Sequence, residues 1–115
     1  MTTNNTYQQT QQNSIKWMLE KWPNETLWLI TKEKSFRLED CDGPATYYWL
    51  IGLVNLEMLK VGNRICATRF SNAQNPEGRW GIFHSSEIVS VETDKESGDY
   101  TITTKNSIYS LKKIK

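Results

Sequence analysis

Hydrophobic and polar positions alternate with a period near two through most of this chain, and the clearest departure lies near its start. Ile15, Met18, Leu19 and Trp22 fall at i, i+3, i+4 and i+7, one face of a helix over residues 14–22. Ser14 suits its N-cap, and Pro23 ends it. Trp17 lies off that stripe and is expected to be partly exposed. Residues 26–31 and 35–39 read as two strands around a charged turn, Lys32-Glu33-Lys34. In the second strand Phe36 and Leu38 alternate with Ser35, Arg37 and Glu39, as on a half-buried sheet.

The stretch 45–60 supports two readings. Its start, 47–51, has strand composition, whereas Leu50, Leu53, Val54 and either Glu57 or Met58 fit helical spacing behind Pro44. Gly52 costs a helix about 1 kcal/mol relative to Ala. That tilts the reading to a strand near 45–50, then a turn or short helical segment near 55–59. Beyond the turn 60–64, the strand 65–70 puts Ile65, Ala67 and Arg69 on one face and Cys66, Thr68 and Phe70 on the other. A turn-rich loop, 71–78, leads to a strand at 79–83, in which Trp80 and Ile82 are expected to fill the core. After His84-Ser85-Ser86 come strands at 87–92, 100–104 and 107–114. They are joined by the polar loop 93–99 and by a tight turn at Lys105-Asn106, where Asn106 can take positive φ.

About seven short strands with polar turns predict a mainly β fold. The expected form is a small curled antiparallel sheet, an SH3-like barrel or a β-roll, with a short N-terminal helix over one end. A helical reading of 45–60 would make it α+β. Residues 1–13 are a Thr/Asn/Gln tract with no aliphatic residue after Met1, and are expected to be a disordered polar tail. Residues 14–115 form a single domain.

Composition narrows the function. The net charge of +1 points to no bulk attraction for nucleic acid, membrane or an acidic partner. The charges are unevenly placed: Glu87, Glu92, Asp94, Glu96 and Asp99 stand against Lys95, whereas Lys105, Lys112, Lys113 and Lys115 have no acid among them. The longest apolar run is far short of the about twenty residues of a membrane-spanning helix. Cys41 and Cys66 lie in no motif, and with no leader sequence the expectation is a cytoplasmic protein with reduced thiols.

Residues 58–111 resemble a recurrent type of small uncharacterised bacterial, phage or plasmid-borne β-domain protein. The matching residues are Leu59, Gly62, Arg64 and Ile65; Ser85, Ser86, Ile88 and Val89; and Thr104, Asn106, Ser107, Tyr109 and Leu111 of a C-terminal Thr-x-Asn-Ser-x-Tyr-x-Leu strand. Ser85 stands where Thr is common. The resemblance implies a small β module and carries over no activity and no functional residue.

No reaction chemistry stands out. His84 is the single histidine, and its neighbours Ser85 and Ser86 form no dyad by adjacency. The acids around Gly43 and Gly98 lack the ligand spacing of a calcium loop, and the glycines form no phosphate-binding fingerprint. The chain is therefore expected to be non-enzymatic, with no cofactor and no metal. The preferred function is a small binding module, for another protein or for itself, of the kind that serves regulation in a mobile-element or phage setting. Its candidate contact residues are Trp17, Trp22, Trp28, Tyr47, Tyr48 and Trp49, as an exposed aromatic patch. The alternative is a single-stranded nucleic-acid-binding small barrel using Arg64, Arg69, Arg79, Lys105, Lys112 and Lys113.

Overall fold

The computed structural model describes residues 3–36, 49–72, 78 and 80–114. Among these residues are one α-helix, α1 (Thr3–Lys21), and six strands: β1 (Trp28–Ser35), β2 (Trp49–Val54), β3 (Arg64–Asn72), β4 (Gly81–Thr93), β5 (Tyr100–Thr104) and β6 (Ser107–Lys113). Each strand pairs antiparallel with the next, and β6 returns to β1, with Ile30 opposite Leu111. The sheet is thus a closed barrel, which leaves no edge strand. The mainly β expectation holds, and the curled sheet is a closed one.

Two apolar clusters hold the molecule. Ile30, Leu50, Ile65, Ile88, Ile102 and Leu111 fill the barrel interior with Trp28 and Tyr109. A second cluster lies outside the barrel wall, where Met18 of α1 meets Trp49, Ile51 and Phe70, flanked by Ile15, Leu19 and Trp22. β2 is therefore buried on both faces: Leu50 points into the barrel and Trp49 and Ile51 point toward α1. Burial on both sides is what makes the run from Trp49 to Val54 continuously apolar and hides its period of two. Asn55 then caps a 3-10 turn, Leu56–Met58, with its side chain accepting a hydrogen bond from the Glu57 N–H.

Several sequence expectations need correction. The helix starts at Thr3 rather than near Ser14. A helix anchored by its apolar stripe extends through polar residues without a second nucleation cost, and Gln9 donates to Asn13 one turn along. Ser14 is consequently no N-cap; it is buried mid-helix, its hydroxyl 2.7 Å from that of Ser71. The charged turn Lys32-Glu33-Lys34 is a bulge inside the single strand β1, where Ser110 donates to the Glu33 carboxylate at 2.7 Å. Phe36 beyond it is exposed, with the Lys34 ammonium over its ring. Residues 37–39 and 45–48 lie outside the described residues.

Residues 81–83 and 87–92, expected in two separate strands, belong to one bent strand, β4. β4 pairs with β3 through its first half and with β5 through its second. The bend lies at Ser85-Ser86: the Ser85 hydroxyl accepts from the Ile65 N–H at 2.9 Å and donates to the Ser86 carbonyl, and the Ser86 hydroxyl accepts from the Asn106 N–H. These serines thus hold a bulge through hydroxyl-to-backbone bonds. The Lys105-Asn106 turn needs no positive φ, since no described residue other than glycine has one. Instead the Thr104 hydroxyl accepts from the Ser107 N–H and donates to the Ser107 carbonyl, while the Asn106 carbonyl accepts from the Phe36 N–H.

Candidate functional site: an aromatic groove between helix and barrel

The site forms where the C-terminal turn of α1 lies over the β3 end that leads into β4. Pro23 stops the helix one turn after the Trp17–Lys21 step, so both indoles of that turn sit beside the barrel wall. Trp22 stacks face to face on Phe70 of β3, with centroids 4.8 Å apart and planes 8° from parallel. Trp17, one turn back, remains 39% exposed, and the Lys21 ammonium lies 4.9 Å from its ring centroid. Trp80, at the threshold of β4, is 68% exposed. Together with Met18 and Gly78 these residues line a groove of about 190 Å³.

Gly78 is fitted to this groove in two ways. Its φ of 112° suits glycine alone, and a Cβ there would stand 3.0 Å from the Trp17 ring. Among the described residues no acid lines the groove, and Lys21 is its single charged side chain. The floor is fixed by the Trp22–Phe70 stack, and the two rims are exposed indoles. Such a surface offers apolar area and ring faces, the features that anchor interfaces.

The sequence-predicted aromatic patch divides. Trp17 and Trp22 belong to the groove. Trp28 and Trp49 do not: Trp28 is 3% exposed inside the barrel against Tyr100, and Trp49 is wholly buried beneath α1. Both serve as core, because a closed barrel with a helix on its wall has two interiors to fill. Tyr47 and Tyr48 lie outside the described residues. Trp80 and Ile82, expected in the core, are both exposed. β4 turns Phe83 and Ser85 inward, which leaves Trp80, Ile82 and His84 on the outer face.

Among the described residues the basic side chains assemble no groove. Arg64 stands opposite Glu87 in register, and Lys105 bridges Glu87 at 3.2 Å. That pair is largely solvated and contributes little. Lys112 shares a shallow depression with Glu92, Asp94 and Asp99, and the Asp99 carboxylate accepts from the Lys113 N–H. The Arg69 guanidinium packs on Gly81, where any Cβ would overlap it. The register shift between Ile51 and Gly52 falls beyond Arg69, at Phe70, so Arg69, paired with Gly81, keeps the strand face of Ile65 and Ala67. Arg79 lies outside the described residues.

Two reactive side chains are neighbours in the sheet. Cys66 and His84 stand opposite each other on β3 and β4, a proximity no sequence feature announces, yet no hydrogen bond joins thiol and ring. Asp94 is engaged in its own loop, its carboxylate accepting from the Glu96 N–H at 2.9 Å. No group of three metal-ligating side chains occurs among the described residues. No helix among them is long and apolar enough to cross a membrane. Compared with known proteins, the chain matches no family model, no curated relative and no solved structure.

Proposed function

We propose that this chain is a non-catalytic binding module whose contact surface is the aromatic groove, and that its ligand is an apolar or aromatic segment of another protein. The observation that carries the reading is Trp80, 68% exposed beside a second exposed indole and over a stacked aromatic floor. A rigid ring left in water at this cost is typical of an interface anchor. The positions of the basic residues support a protein rather than a nucleic-acid ligand. Among the described residues Arg64, Lys105 and Lys112 stand beside acids and Lys21 is the one cation lining the stacking surface, so no continuous positive track runs along it. The free thiol of Cys66 suits a reducing cytoplasm.

The test compares the wild-type chain with Trp80→Ala as baits at equal folded concentration. The reading expects a saturable partner whose affinity falls at least about tenfold in the variant, as for an interface anchor. Equal recovery by both baits overturns it. Salt-sensitive retention of mixed-sequence single-stranded oligonucleotides, lost on Trp80→Ala, would transfer the groove to the nucleic-acid reading.

A further inference from the structure

The groove is assembled from two bodies. Trp17 belongs to α1 and Trp22 directly follows its last residue, whereas Phe70 and Trp80 belong to the barrel side. We infer that α1 is a detachable strap, able to open from an intact barrel, and that the groove exists only while the strap is closed.

Three observations carry this. First, the barrel is complete without the helix: its strands close on one another, and its interior cluster contains no residue of α1. Second, the seam beneath the strap is imperfect. The Ser14 and Ser71 hydroxyls there satisfy each other, but the Nε1–H of the fully buried Trp49 finds no partner among the described residues. An unpaired buried donor disfavours the closed state, because opening lets water satisfy it. Third, the connection from α1 to β1 is a short irregular segment whose start, Trp22 to Glu25, is held by the local bond from the Glu25 N–H to the Trp22 carbonyl, and whose end is fixed to the barrel by buried Leu27, its carbonyl accepting from the Ile114 N–H. Elements of this kind open below the global unfolding free energy. Opening separates Trp22 from Phe70 and dismantles the groove. A ligand touching both sides therefore binds the closed form alone and holds it closed by mass action.

The last step rests on the groove reading; the strap itself does not, and its test uses no ligand. Hydrogen-exchange mass spectrometry on the full chain should show α1 amides exchanging about tenfold or more faster than those of β1, β5 and β6. The double variant Ser14→Cys/Ser71→Cys, with Cys41→Ser and Cys66→Ser, provides a lock across the seam. Oxidation should bring α1 protection up to that of the barrel, and reduction should release it. A single common protection level for helix and barrel in the wild type overturns the inference. So does a cross-link that forms yet leaves α1 exchange unchanged, and failure of the pair to cross-link contradicts the closed geometry. Capture experiments on the groove fail or succeed independently of these outcomes.

Discussion

Single residues show where the fold leaves no freedom. Gly52 lies at the irregular pairing of β2 with β3, and a Cβ there would overlap the Thr68 carbonyl. Gly52→Ala is expected to destabilise the protein by about 2–3 kcal/mol, read as a lower urea midpoint, because backbone on both sides must shift. The tryptophans separate by the same logic. Trp28→Ala empties the barrel core and should cost about 3–5 kcal/mol. Trp80→Ala touches little and should change stability by less than about 0.5 kcal/mol. Equal losses from the two tryptophans in chemical denaturation would contradict their placement. The sequence alone did not separate them, since all the tryptophans offer the same hydrophobicity, and only the bend of β4 and the position of α1 decide which ring faces water.

At the scale of elements, the half-buried strands were the most legible. β5 and β6 appear where alternation places them, with Ile102, Tyr109 and Leu111 inward. The strand β2 was harder to read because α1 buries its outer face and erases the alternation. The helix was recognisable from its stripe, but its extension to Thr3 has no hydrophobic signature. β1 read as ending at Thr31, and β4 read as two shorter strands, because bulges mimic turns in composition: charged residues in β1, serines in β4. The β5–β6 hairpin depends on one side chain. Thr104→Val keeps the shape and removes both bonds to Ser107, so a loss of about 1–2 kcal/mol in thermal or chemical unfolding is expected. An unchanged midpoint would show that the backbone bonds of Phe36 and Lys105 hold the turn unaided.

For the whole molecule, ring closure and a second layer on one wall create two cores and a seam between them. That arrangement explains how a chain so rich in tryptophan hides Trp28 and Trp49 while Trp17 and Trp80 remain in water around a shared groove. It also explains the charge asymmetry: acidic and basic segments become neighbours across β4, β5 and β6, so Glu87 meets Lys105 and Asp99 meets the Lys113 backbone. Because the Glu87–Lys105 pair is solvated, Lys105→Ala should alter stability by well under about 1 kcal/mol at moderate salt. The groove could not be read from sequence as a unit, since its residues come from α1, the end of β3 and the start of β4, and only folding brings them together. The most direct measurement is photo-crosslinking of the full chain in its native extract, with a benzophenone side chain placed at position 80 or, as a control, at the exposed position 89. The account predicts one discrete protein adduct from position 80 and none of that kind from position 89. No adduct from position 80, or the same adducts from both, would contradict it.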